Sequence, residues 1–480
     1  MPVSLVIGEL LVAEQIITPD QLDAALMAQK REGGRLGDVL VSLGFITRDQ
    51  LARLLNAVPG TPRNVEQTGL GEPLLLDLLL KAAYGDAGVF TLQEASKRLC
   101  LPAPLVDELA ELAKADHLVA IRSAAGYLRT SHIFELTMRG RERAEAAIAQ
   151  CQYVGPAPVT FAAYQLMVAR QSVRQIEVDE AWIRRNLAHL VVSDRMLEQL
   201  GPAFNSGRSI FLYGPPGTGK SSIAESLARG LGGQVYIPHA VEISGQIARV
   251  FDPALHWPVE EPKDEVVSLD LAAGSSYDPR WVRCRRPVVM VGGELNLHEL
   301  ELDYNPISKF YEVPIHMKAN NGVFILDDFG RQMVSPRELL NRWIVPLERG
   351  TDFLNLHTGQ KIEAPFDQLT VFCTNLRPSE LVDEAFLRRI RHKIKIDYQT
   401  EAEYTEILRR VCDDQGIDFR PDAAEYLLAT YYRNAGRPLV GCHPRDLVEQ
   451  IVDHARYYRI HAELLPAAID FAAGNYFVDL

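Results

Sequence analysis

The residues whose types and order could do chemistry are concentrated in one octapeptide, Gly214-Pro215-Pro216-Gly217-Thr218-Gly219-Lys220-Ser221, with Ser222 behind it. Glycines at the first, fourth and sixth places let the backbone curl, so that successive N–H groups converge on phosphate oxygens. The lysine supplies a cation for β- and γ-phosphates, and the serine beside it supplies a hydroxyl for a magnesium ion. The flanks are what this chemistry requires. The apolar run Ile210 to Tyr213 reads as a strand, and Ser222 to Arg229 reads as an amphipathic helix whose N-terminus adds positive partial charge. The stretch predicts a nucleoside triphosphate held by residues 214–222, with Ser221 on the metal.

Three later features fit the same reaction. The apolar run Val323 to Leu326 ends in paired acids, as a buried parallel strand does at a sheet edge. Asp327 would hold a metal-bound water, and Asp328 would polarise the attacking water. Leu369 to Thr374 is a further apolar run, and it ends in Asn375, whose amide could position that water against the γ-phosphate. Arg388 and Arg389 stand in a basic cluster, and Arg445 opens a late helix. A solvated basic helix and a local salt bridge are the structural alternatives for these arginines.

In this order the elements resemble the AAA+ ATPases over residues of about 175–460. The resemblance implies an α/β fold: a P-loop AAA+ doubly wound parallel sheet with a C-terminal helical lid. It makes Asn375 the first sensor, Arg445 the second, and Arg388 or Arg389 the arginine finger that reaches a neighbouring subunit. ATP and Mg²⁺ are the implied cofactors, and a homo-oligomeric ring, a hexamer by analogy, the implied assembly. Most of that family has glutamate where this chain has Asp328. The side chain is one methylene shorter, and a misplacement near 1 Å can cost about a hundredfold in rate, so slow turnover is expected.

The elements that must position these groups divide the chain into 1–58, 72–150, 160–398 with an insertion at about 257–320, and 399–480. In the first unit, Ile7 to Leu22 recurs as Leu36 to Leu51, each copy holding a Thr-x-Asp-Gln helix start. The second copy, with Arg35, resembles the tandem motif of type II secretion and type IV pilus motor ATPases, many of which bind cyclic di-GMP. Val6 stands where the first copy should have arginine. Cyclic di-GMP binding and a purely structural docking module remain the two readings, with docking favoured. Residues 72–150 read as a winged helix with predicted helices at Leu74–Tyr84, Thr91–Leu99 and Pro104–Ala115. The third carries Asp107, Glu108 and Glu111, the wrong sign for phosphate, which favours a protein partner over DNA. Beyond the loop helix, Gln234–Pro238 is expected as the second strand of the sheet and Ile243–Phe251 as a helix. The insertion is expected to be β-rich, with runs at Pro287–Val291 and Val313–Met317. Its Arg280 to Arg286 and the aromatics Tyr304, Phe310 and Tyr311 read as a hairpin cover, or alternatively as pore loops gripping a polypeptide.

The whole chain limits the alternatives. At 480 residues it has room for several domains, and a formal charge of −13 argues against a general nucleic-acid coat. The cysteines at 100, 151, 284, 373, 412 and 442 form no C-x-x-C pair, which predicts reduced thiols and no zinc framework. The longest apolar run, Leu74 to Leu80, is short and holds Asp77, so no membrane helix is expected. Glu9 in the first apolar run argues against a secretory leader, and the expected compartment is the cytoplasm. The leading reading is an ATPase that remodels or moves a protein partner. An ATP-gated scaffold with slow turnover and a DNA-binding regulator are the alternatives.

Overall fold

The computed structural model describes residues 17–32, 36–47, 58–124, 132–259, 277–381 and 387–477. Among the described residues two helices come first, α1 (Pro19–Glu32) and α2 (Leu36–Ser42), packed through Ile17, Leu22, Ala25, Leu36, Leu40 and Ile46. The Thr-x-x-Gln start of α1 closes reciprocally: Gln21 N–H donates to Thr18 Oγ1 at 3.3 Å, and Thr18 N–H to Gln21 Oε1 at 2.9 Å. Val6, Arg35 and Arg48 to Gln50 of the second helix start lie outside the described residues, and with them the arginine positions of the cyclic di-GMP motif.

Next come α3 (Glu72–Gly85), β1 (Val89–Thr91), α4 (Leu92–Leu99), α5 (Ala103–Ala115), β2 (Val119–Ala124), β3 (His132–Leu136) and α6 (Met138–Gln150). The three strands form an antiparallel sheet in the order β1-β3-β2. Thr91 and Glu94 box the start of α4, and Thr137 caps α6. A Cβ on Gly140 would lie 1.9 Å from the Leu118 carbonyl oxygen, so only glycine lets α6 approach the sheet this closely.

A second sheet follows, in the order β11-β12-β8-β7-β4. Its strands are β4 (Val159–Thr160), β7 (Ala240–Ile243), β8 (Gln246–Arg249), β11 (Asp303–Asn305) and β12 (Phe310–Glu312). Helices α7 (Phe161–Arg170), α8 (Glu180–Asn186) and α9 (Asp194–Asn205) lead from β4 to the first strand of the central sheet. The segment Ile243–Phe251 is not a helix. Ser244 and Gly245 both have positive φ, 51° and 82°, which closes β7 and β8 as a two-residue hairpin.

The central sheet is wholly parallel, in the order β10-β13-β16-β5-β17. Its strands are β5 (Ile210–Tyr213), β10 (Val288–Val291), β13 (Val323–Leu326), β16 (Leu369–Thr374) and β17 (His392–Lys395), with α10 (Lys220–Gly230) and α9 packed on one face. Two expectations are corrected here. Gln234–Pro238 (β6) does not enter this sheet and instead pairs antiparallel with β9 (Trp281–Arg285). The edge strand is Val288–Val291, from within the stretch read as an insertion. Val313–Met317 is also not a strand, because Pro314 caps a single helical turn at Ile315–Lys318. The opposite face is packed by α11 (Pro336–Arg349), whose Trp343 is fully buried against Phe324, Phe366 and Phe372.

Arg280, Arg286, Tyr304 and Tyr311 of the excursion are packing groups, while Arg285 is exposed. Arg280 is buried with Asp278 at 2.8 Å, and Arg286 donates to the carbonyls of Gln171 and Asn321. Tyr311 is buried, and Tyr304 stacks on His357 at 4.0 Å. Hairpin β14 (Thr351–Asn355) and β15 (Lys361–Pro365) precedes β16. The chain ends in helices α12 (Glu401–Gln415), α13 (Pro421–Leu427), α14 (His443–Tyr458) and α15 (Pro466–Tyr476) around a core of their own. Among the described residues, no helix is long and apolar enough to cross a membrane.

Asp367 ties the segment before the sheet to the loop before β16. Its carboxylate accepts from Ser172 Oγ at 2.7 Å, Val173 N–H at 3.0 Å and Asn321 Nδ2 at 2.8 Å. Replacing it strands three buried donors, so Asp367→Ala is expected to cost about 3 kcal/mol or more, read as a shift in the denaturation midpoint of the nucleotide domain.

Candidate nucleotide-binding site

The parallel sheet delivers its chemical groups to one edge. Strand β5 runs into the loop at Gly214, where φ is 149° and a Cβ would strike the Ile396 carbonyl at 1.9 Å. Gly217 and Gly219 also take positive φ, 73° and 90°, so the loop curls as its glycines allow. Lys220 opens α10 with its ammonium turned back onto the loop, donating to the carbonyls of Gly214 at 3.0 Å and Pro215 at 2.7 Å. Burial holds it below the ordinary lysine range, against the opposing pull of Cys373, Asp327 and Asp328. Thr218 Oγ1 bonds the Pro215 carbonyl at 2.9 Å and keeps the bend tight.

Asp327 follows β13 and meets the loop helix directly: Ser221 Oγ donates to its Oδ1 at 2.7 Å. A hydroxyl and a carboxylate side by side form the hard oxygen pair a magnesium ion accepts, so the residues fit that ion. Asp328 sits beside it, and Asn375, at the end of β16, donates from Nδ2 to Asp328 Oδ1 at 3.2 Å. Cys373 is buried beneath them, and burial pushes its thiol up, leaving it inert as a base.

These groups line a cleft of about 490 Å³, a volume suited to a small ligand. Pro216 to Ser222, Asp327, Asp328, Asn375 and Arg445 all border it. Gly214 and Pro215 lie behind the lining and hold Lys220. Arg445 is 65% exposed, with Asp446 and Glu449 only at 3.7 and 3.9 Å, a loose hold for a side chain at the mouth of the cleft. Arg388 and Arg389 lie outside it. Arg388 is exposed in a turn, and Arg389 Nε meets Glu348 Oε1 of α11 at 2.5 Å.

Sequence reasoning missed the apolar wall: Leu190, Val191 and Val192 from the segment before α9, and Ile407 and Val411 from α12. The i,i+4 spacing of Ile407 and Val411 places them on one helix face, but nothing local says what that face meets. It also missed Gln399 and Cys442, which border the cleft from the helical layer. Cys442 N–H donates to the Gly217 carbonyl at 3.1 Å, tying that layer to the loop.

Residues 210–261 match the model of the ATPase family associated with various cellular activities (AAA), and residues 400–475 match a domain of unknown function, DUF8689. The chain therefore carries an AAA ATPase domain. No curated protein is significantly similar to it in sequence. Among solved structures it is similar to NtrX from Brucella abortus, at 16% identity and a TM-score of 0.34, over 60% of this chain and 57% of that one. The RuvB Holliday junction branch migration motor of Thermotoga maritima is 14% identical with a TM-score of 0.31, over 64% and 74%. Domain III of the Thermotoga maritima replication initiation protein DnaA is 12% identical with a TM-score of 0.34, over 62% and 98%.

The buried ammonium of Lys220, folded back onto its loop, makes a prediction about protons. Phosphate partners would raise its pKa from the lowered value of the free protein, so nucleotide binding takes up protons in the alkaline range. Affinity is then full below the free-state pKa and is lost as pH rises through the bound-state one. Calorimetry of Mg·ATP binding in two buffers of unequal ionisation heat measures this uptake. Lys220→Arg, which stays charged throughout, should abolish it, and Lys220→Ala should weaken binding by about ten- to a hundredfold.

Proposed function

We propose that the protein binds Mg·ATP in this cleft and hydrolyses it at an interface between copies of itself, driving rearrangement of a protein partner in the cytoplasm. The observation that carries the reading is the convergence of Pro216 to Ser222, Asp327, Asp328, Asn375 and Arg445 on one cleft, with Gly214 and Pro215 holding Lys220 from behind, while Arg388 and Arg389 do not line it. Backbone N–H groups of the loop and Lys220 cradle the β- and γ-phosphates. Ser221 and Asp327, hydrogen-bonded to each other at 2.7 Å, would hold a magnesium ion, which would supply positive charge for the phosphate oxygens. Asp328 accepts the proton of the attacking water, and Asn375 orients that water. The apolar wall from Leu190 to Val192, with Ile407 and Val411, takes the base.

Arg445 reaches the γ-phosphate from the helical lid. The paired arginines serve a neighbouring copy, since they do not line their own cleft. A cation supplied across an interface stabilises charge developing on the transferred phosphoryl group, so each site is complete only in a ring, with a hexamer the closed form suggested. Residues 72–150, as a winged helix with an acidic third helix, recognise the protein partner. The N-terminal repeat is a docking or cyclic di-GMP-responsive element.

A slow-turnover scaffold gated by ATP is the second reading, and the short carboxylate of Asp328 favours it. The two differ in rate, and fast native hydrolysis removes the scaffold. Turnover and assembly state with a non-hydrolysable ATP analogue are the decisive measurements. Arg388→Ala combined with Arg389→Ala should lower turnover by about a thousandfold while leaving analogue binding within about twofold. If the chain stays monomeric in saturating analogue and the double variant turns over normally, the shared-site reading fails.

A further inference from the structure

Directly after β13 the chain reverses at Asp328, whose φ of 46° lies in the left-handed region. Few non-glycine residues enter that region, and aspartate is enriched several-fold among them because its short carboxylate bonds locally. Glutamate lacks this advantage. The unusual residue and the unusual backbone therefore belong together: the carboxylate is short where the main chain bends in a way that suits a short one.

The turn is held by a side chain no motif predicts. Gln332 Nε2 donates to the carbonyls of Asp327 at 3.0 Å and Asp328 at 3.3 Å, and reaches that of Gly292, beyond β10, at 3.4 Å. Its Oε1 accepts from Gly330 N–H at 2.8 Å. One amide thus bonds both acids' carbonyls and bridges the ends of two strands. Phe329 is pinned at the same time, its N–H donating to the Cys373 carbonyl at 2.7 Å and its carbonyl accepting from Thr374 Oγ1 at 2.6 Å. With Asp328 clamped on either side, its carboxylate is left facing the cleft against the Asn375 amide.

We propose that Gln332 is a positioning residue for hydrolysis, fixing the left-handed backbone of Asp328 so that its carboxylate stands where the attacking water must be. The inference rests on the ATPase reading above. Gln332 touches no phosphate and does not line the cleft, so its loss acts through Asp328. A residue that merely supported the loop would weaken binding and stability without regard to which side chain occupies position 328.

The test uses the full chain as wild type, Gln332→Ala, Gln332→Glu, Asp328→Asn, and Gln332→Ala with Asp328→Asn. Steady-state hydrolysis and equilibrium binding of a non-hydrolysable ATP analogue are measured on each. Gln332→Ala should lower kcat by about thirtyfold or more, in line with misplacement of a reacting group, with KM and analogue affinity within about twofold. Gln332→Glu keeps the acceptor for Gly330 but loses the donor to both acids, and should lose kcat comparably. In the Asp328→Asn background the alanine change should cost less than about twofold, because the two residues act as one unit. Three results overturn the role: an unchanged kcat, equal losses in both backgrounds, or analogue affinity falling in step with kcat. Should Gln332→Ala fail to fold, the glutamate variant decides by the same criteria. A wild type that binds the analogue yet turns over no ATP removes the hydrolytic reading, and this role with it.

Discussion

The hydrogen bond from Ser221 to Asp327 joins two segments 106 residues apart, and the site depends on the sheet that makes it possible. Strands β5, β13 and β16 lie side by side and parallel, with Leu326 opposite Phe372 and Tyr213 opposite Thr374. In a parallel sheet the residues that follow aligned strands emerge at the same edge, outside the carboxyl ends. The phosphate loop, the paired acids and the Asn375 amide are the next residues after those strands. Displacing one strand by a single residue would turn its buried face toward the other layer and carry its polar end away from the cleft. The four fully buried residues of β13 resist such a slip, since each would have to leave a packed core.

The remaining wall of the cleft belongs to a different body of packing. Helices α12 to α15 surround their own core, yet they meet the nucleotide domain through hydrogen bonds at the loop and at the segment before α9. Cys442 N–H donates to Gly217, and Arg410 of α12 donates to the carbonyls of Ala188 and Leu190. The helical layer is thereby anchored at both ends of the cleft, beside the loop and beside the apolar segment before α9. A ligand that displaced the Gly217 carbonyl or pushed on Leu190 would act on that layer directly.

The second sheet and the excursion explain the chain's other unusual residues without recourse to chemistry. Arg280 is buried there with Asp278, and Arg342 of α11 reaches across to Glu301 of the excursion while pairing with buried Asp352 of β14, which also lies 2.9 Å from His316. Burying a charge is tolerable only when a partner and hydrogen bonds replace water. Such groups look functional in a linear reading because charged residues among aromatics draw notice, yet here they fix the path of a long connection.

The amino-acid sequence by itself determined the phosphate loop, the helix caps, and the acids and amide at the strand ends. Each of these is specified within a few residues: glycines permit a curl, a threonine hydroxyl satisfies the N–H groups ahead of it, and an apolar run ends where polar residues begin. The tertiary structure alone decided which apolar run is the sheet's edge. Gln234–Pro238 and Val288–Val291 carry the same local signal, and only the partner strand separates them. It also decided that Ser244 and Gly245 turn a hairpin where a helix was expected, that Leu190 and Ile407 share a wall, and that Gln332 grips Asp328. Those outcomes come from contacts between residues far apart in the chain, whose energy depends on what the fold brings next to them and leaves no mark on neighbouring letters.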